Sequence, residues 1–307
     1  MTPRSKILYP SRAKNSLKQY SSAIQKLKEG KYIYRGLGNF NKRYAIVRPS
    51  KFSRQSRNTK NIYTALMDFL PAWSDYPKRS KSIICSTSRV YARGYTSGWS
   101  DDIGALYVVL PKNGASIGIC PDYDIWNSFG KVKRRWQTMH MGHFNELFEE
   151  LFYKLFESAG MVIRNEMEYM NSQEMESMLK EADLVSSNFE EIEETTLAYL
   201  EGDREFESMT MDIRKFKIDE GITWTEYFNE LMSPDENEFS LQTIETFDSN
   251  LYDNSYEDHE DHEVWTDSNC ILSRITEYIG SKKSGNLNNS ALIDLIDRGN
   301  EEEIEVK

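Results

Sequence analysis

The sequence predicts an α+β protein, with a strand-bearing core in its first half and a mainly helical, acidic C-terminal region. Three observations predict it. Four short β-prone runs lie between residues 32 and 120, each bounded by Gly, Pro or polar clusters. From residue 143 the apolar residues change to spacings of three and four, the period of an amphipathic helix. The charge also changes sign along the 307-residue chain: residues 1–60 carry sixteen Lys/Arg against the single acid Glu29, whereas residues 144–267 carry 35 acids against seven bases.

Taken in order, residues 12–29 place Leu17, Tyr20, Ile24 and Leu27 on one helical face, and Gly30 closes the helix. Tyr32-Ile33-Tyr34-Arg35 is the first strand and ends at Gly36. Residues 39–57 lack a clean period and predict a long basic loop, whose Ser53-Arg54-Gln55-Ser56-Arg57-Asn58 cluster suits anions. A helix over 59–70 is stopped by Pro71, and a turn-rich approach leads to the strand Ser82-Ile83-Ile84-Cys85-Ser86. Residues 89–95 predict one short helix ended by Gly94. Residues 105–110 and 115–120 are two further strands, and the Lys112-Asn113-Gly114 link between them predicts a β-hairpin.

Phe144, Leu147, Phe148, Leu151, Phe152, Leu155 and Phe156 then form one helical stripe. Met161-Val162-Ile163-Arg164 is a candidate strand, followed by Glu166-Met167-Glu168. Acidic helices are expected over 173–185, 190–200 and 223–232, and a charged segment over 248–267 that is a loop or partly disordered. Helical pattern returns at 271–278 and 291–296. The expected organisation is a basic amphipathic helix over residues 1–29, an α+β core over 30–172 and an acidic region over 173–307.

Cys85, Cys120 and Cys270 lie far apart with no metal-ligand spacing, which predicts buried thiols in a reducing compartment. No run reaches the roughly 18 apolar residues of a membrane span, so the expectation is a soluble intracellular protein without membrane contact. No Walker loop, GxSxG or HExxH occurs, which removes the common nucleotide hydrolases and zinc or serine hydrolases. His140 and His143, and the Glu257-Asp258-His259-Glu260-Asp261-His262-Glu263 run, read as surface histidines and a solvated charge run, so no metal is expected. Basic residues within 42–60 can hold the phosphates of a nucleotide or of nucleic acid, or dock on the chain's own acidic half.

Two strand ends carry chemistry. Arg35 offers a guanidinium fork suited to phosphate, and Ser86-Thr87-Ser88 offers hydroxyls suited to a ribose or an amide, so the pair reads as a dinucleotide site, the alternative being an Arg in a structural salt bridge and a Ser/Thr cluster in a turn. Tyr34-Arg35-Gly36, then Ser86-Thr87-Ser88 with Ala92 and Tyr95 downstream, then Glu166-Met167-Glu168, resembles the Arg / Ser-Thr-Ser / Glu-x-Glu order of the ADP-ribosyltransferase fold over residues 30–170. The resemblance implies a split mixed β-sheet core with NAD bound as substrate between two small sheets. It implies that Arg35 and Gly36 meet the NAD phosphates and that Ser86, Thr87 and Ser88 shape the nicotinamide-ribose pocket. Glu168 is then the catalytic carboxylate, and Glu166 activates the acceptor.

That assignment has a physical basis. Cleaving the nicotinamide–ribose bond builds positive charge on the ribose, which a fixed carboxylate stabilises. A second carboxylate two residues along a strand shares its face; on a helix the two would diverge by about 200°. The expected function is NAD-dependent mono-ADP-ribosylation of a macromolecular acceptor, in the cytoplasm of a host cell, by a protein of bacteriophage or toxin type. The alternative is a non-catalytic virion, assembly or interaction protein that retains such a fold and binds a phage or host partner.

Overall fold

A computed structural model of the protein describes residues 17–38, 40, 42, 44–51, 54, 61–96, 104–129, 176–177, 179–180, 223–249 and 261–275. The Phe-rich helix, the strand expected at 161–164, Glu166 and Glu168 lie outside the described residues. So do the helices expected at 190–200 and 291–296, all but four residues of the one at 173–185, and Arg43, Arg57, Lys60, His140, His143 and His259.

In chain order the elements are α1 (Ser21–Lys28), β1 (Tyr34–Leu37), β2 (Tyr44–Val47), α2 (Asn61–Phe69), β3 (Ile83–Ser86), α3 (Arg89–Gly94) and β4 (Ala105–Pro111). They continue with β5 (Ser116–Ile119), α4 (Ile125–Ser128), α5 (Trp224–Leu231), β6 (Ser240–Thr243), β7 (Glu263–Thr266) and β8 (Cys270–Arg274). Two compact units divide the chain. One comprises Met1–Arg54, Tyr76–Asp124 and Ser240–Lys307, and the other Gln55–Asp75 and Ile125–Phe239.

All eight described strands belong to the first unit, in the order β2-β8-β4-β1-β3-β7-β5-β6. The described residues form an α+β structure as expected, but every pairing among the described strands is antiparallel where a mixed sheet was expected. The order has a weak joint. β1 and β4 share four residue pairs and β3 and β7 share four, whereas β1 and β3 meet at the single pair Tyr34↔Ser86. Four strands therefore lie on each side of a one-pair junction. Leu110, Val47 and Leu272 on one side, and Ile83, Ile117 and Val264 on the other, belong to a single buried cluster. β4 is buried at all seven positions, which is why it reads as an unbroken apolar run.

Three expectations are corrected here. The Asn113-Gly114 link turns, with Gly114 at φ +74° and Ala115 N–H donating to Lys112 O at 3.0 Å, but it makes no hairpin. β4 pairs with β1 and β8, and β5 with β6 and β7. The loop is committed to α1 instead. Asn113 Oδ1 accepts from Ser22 N at 3.0 Å, and Asn113 Nδ2 donates to Lys18 O at 2.7 Å and to Ser21 Oγ at 3.0 Å.

Second, the charged segment expected over 248–267 ends in β7, which fills the place between β3 and β5. Third, the helix expected over 271–278 gives way to β8, because Cys270-Ile271-Leu272 completes ladders with both β2 and β4. A short apolar run fits either period, and the ladder decides. The C-terminal region thus supplies three strands, β6, β7 and β8, besides the helix α5.

Other expectations hold with small shifts. α1 buries Ala23 and Leu27 and ends where Gly30 turns at φ +80°. β1 begins two residues later than expected, although Ile33 O still accepts from Val109 N at 2.8 Å. In the second unit α2 stops before Pro71, with Leu70 extended as a residue preceding proline must be. α5 starts at a capping box in which Glu226 Oε2 accepts from Thr223 N at 2.7 Å and Thr223 Oγ1 accepts from Glu226 N at 3.2 Å. Trp73 packs edge-on against Phe239 and donates its indole N–H to Met232 O at 2.8 Å. No helix among the described residues is long and apolar enough to cross a membrane.

Candidate functional site

The one-pair junction collects the residues that carry chemistry. Across it Tyr34, Ser86 and Glu263 stand in one row, since Ser86 is the partner of Tyr34 in β1 and of Glu263 in β7. Arg35 is the next residue along β1. With neighbouring strands about 5 Å apart, the backbones of Arg35, Ser86 and Glu263 lie within a single ligand's length. The sequence-expected pair, Arg35 and Ser86, is brought together.

Arg35 is half-buried. Its Nη1 donates to Ile84 O at 2.7 Å, and its guanidinium carbon lies 5.7 Å from the centre of the Tyr95 ring. Gly36 permits this placement: a Cβ there would sit 1.9 Å from Ala92 O, so α3 can press against β1 only at a glycine. The Tyr95 hydroxyl is pushed up by burial and then by Glu263 and Asp124, against the pull of Arg35 and Arg54.

Ser86, Thr87 and Ser88 build the turn from β3 into α3. Ser86 Oγ accepts from Ser88 N at 3.0 Å, and Ser88 Oγ caps α3 by accepting from Tyr91 N at 3.4 Å. Thr87 is clamped to β7 from both sides: its N–H donates to His262 O at 2.9 Å, and its Oγ1 accepts from His262 N at 2.8 Å. An accepting hydroxyl keeps its own proton to donate, so Ser86 Oγ can still act as a donor.

Glu263 was hidden in the stretch read as a solvated charge run. It is buried, as is His262 at 1% exposure, so that reading is corrected for the end of the run. Glu263 Oε1 accepts from Arg79 Nη2 at 2.6 Å and takes the Cys120 thiol at 3.8 Å. Arg79 sits in the 3-10 turn Arg79–Lys81 and lies over Trp265, whose indole N–H donates to Pro77 O at 2.9 Å. The usable signal was Asp261-x-Glu263 followed by the β-prone Val264-Trp265-Thr266.

Arg54 completes the group. Its backbone N–H donates to Ser80 O at 2.6 Å, which ties it to the turn holding Arg79. Burial, and then the like charges of Arg79 and Arg35, push its guanidinium down to about 9, against support from Glu263 and Tyr95. Among the described residues the guanidiniums of Arg35, Arg54 and Arg79 lie near the Glu263 carboxylate, a surplus of two positive charges, or of one when Asp124, which acts on Arg79, is counted.

All three cysteines are buried and free, and burial pushes the Cys85 thiol up to about 12, so it is no nucleophile at neutral pH. Among the described residues no cluster of His, Cys, Asp or Glu is arranged to hold a metal ion. No family model, no curated protein and no solved structure matches the chain.

Proposed function

We propose that the protein is an NAD-dependent transferase of the ADP-ribosyltransferase type, in which Glu263 takes the part that the resemblance gives to Glu168. The observation that carries this reading is the succession of Arg35, Ser86 and Glu263 on three neighbouring strands, with Ser86 and Glu263 in register. The two groups of four strands joined by one residue pair support a split core of that type.

In this reading Arg35 holds the phosphates of NAD, and Ser86 donates to the nicotinamide ribose. Glu263, ion-paired with Arg79, lies beside the ribose carbon as positive charge develops there. Asp261, two residues before Glu263, occupies the place of the first acid of the Glu-x-Glu pattern and prepares the acceptor.

The test is nicotinamide release, with NAD binding followed by calorimetry. Glu263→Gln lowers turnover by orders of magnitude while NAD binding changes little, and Glu168→Gln leaves turnover intact. NAD that does not bind at millimolar concentration overturns the reading. The Arg79–Glu263 ion pair favours a second reading, in which the carboxylate is a structural partner and the protein is a non-catalytic interaction or assembly component. NAD binding without turnover, equal in the Glu263→Gln variant, decides for that one.

A further inference from the structure

Two neighbouring guanidiniums in the first unit, Arg54 and Arg79, each present a fully buried Nη1 with no hydrogen-bond partner. A buried donor left without an acceptor is costly, and far more so on a charged group. Here the groups also repel each other and Arg35. The Glu263 carboxylate is engaged by Arg79 through Nη2, the opposite end of the fork.

We propose that Arg54, with Arg79 and Arg35, forms an enclosed subsite for a diphosphate group, so that the protein selects ligands carrying two linked phosphates over monophosphates. The inference rests on the NAD reading for its physiological ligand, but the subsite itself stands on the arginine cluster.

The chemistry favours such a group. A diphosphate brings two negative charges and several acceptor oxygens, enough to meet the positive surplus and both unpartnered Nη1 atoms, and guanidinium forks match phosphate oxygens in pairs. Arg54 is fixed from behind by its bond to Ser80 O. Tyr95, 49% exposed with its ring centre 5.7 Å from the Arg35 guanidinium carbon, is the solvent-facing neighbour of the cluster.

The experiment uses the full chain with inorganic pyrophosphate, inorganic phosphate and NAD as separate probes, followed by calorimetry and thermal melting. Pyrophosphate is expected to bind at least about tenfold more tightly than phosphate and to raise the melting temperature. Arg54→Gln is expected to melt higher than the parent without ligand, because a repelled charge is gone, and to lose the pyrophosphate effect; Arg54→Lys retains part of it. A residue of purely structural value gives the opposite first result.

Pyrophosphate that does not stabilise the parent, or stabilises Arg54→Gln equally, overturns the subsite. The proposed function survives if NAD still binds. Arg54-dependent pyrophosphate binding by a protein that ignores NAD keeps the subsite and overturns the NAD reading.

Discussion

Arg79 Nη2 and Glu263 Oε1 lie 2.6 Å apart with both side chains buried, which makes this ion pair the strongest electrostatic bond described at the junction. Its loss is asymmetric. Arg79→Met leaves the buried Glu263 carboxylate without its ion-pair partner, and Glu263→Gln does the same to the Arg79 cation, so each is expected to cost about 3–5 kcal/mol. The double variant is expected to recover a large part of that loss, because neither buried charge remains. Urea midpoints of the four proteins check this. Strictly additive losses would show that the two groups are not coupled.

Gly118 in β5 faces Trp265 in β7 so closely that a Cβ would lie 2.3 Å from Cζ2 and 2.4 Å from Cε2 of the indole. Trp265 has little freedom to yield: it donates to Pro77 O, stacks on Tyr76 at 6.0 Å and carries Arg79 over its face. Gly118→Ala is therefore expected to destabilise by about 1–3 kcal/mol and to alter the near-ultraviolet dichroism of Trp265. An unchanged spectrum and midpoint would contradict the packing.

These contacts explain what could be read from the residues and what could not. β3 was legible because Ile83-Ile84-Cys85 is an unbroken apolar run, and α1 because Leu17, Tyr20, Ile24 and Leu27 keep helical spacing. Arg35 and Ser86 were legible as chemistry at strand ends. The acid beside them was not. Glu263 begins a four-residue strand after six consecutive charged or histidine residues, and its burial depends on Arg79, 184 positions earlier. Asn113-Gly114 announced a turn, but which strands a turn joins is set by distant ladder partners rather than by the turn itself. Likewise the anion-suited cluster around Arg54 was readable, while its proximity to Arg79 and Arg35 was not.

Asn113 supports a prediction about α1. Its side chain makes three hydrogen bonds to residues 18–22, and the adjoining Gly114 N–H donates to Glu245 Oε1 at 2.9 Å, an oxygen that also accepts from Ser22 Oγ at 2.8 Å. Asn113→Ala is expected to destabilise by about 1–3 kcal/mol and to speed hydrogen exchange in α1 more than in β4. Exchange that rises equally in both elements would mean that the clamp has no local role.

His262 gives the pH prediction. Burial holds its imidazole below the ordinary value, against the Cys120 carbonyl, Asp261, Asp122 and the Pro121 carbonyl, all of which favour the charged form. In the neutral ring Nδ1–H donates to Cys120 O at 3.0 Å. Because the folded pKa is depressed, the unfolded chain takes up the proton first as pH falls below about 6.5. The contribution to stability is therefore complete above that pH and is lost as pH falls through the folded value. It amounts to about 1.4 kcal/mol for each unit by which the two pKa values differ. His262→Gln removes the titration, so the urea midpoints of parent and variant are expected to converge between pH 7.5 and 5. The backbone of His262 also clamps Thr87, so on the proposed NAD reading the binding of NAD by the parent is expected to weaken over the same interval. Parallel stability curves across that range would assign the pH dependence to other groups.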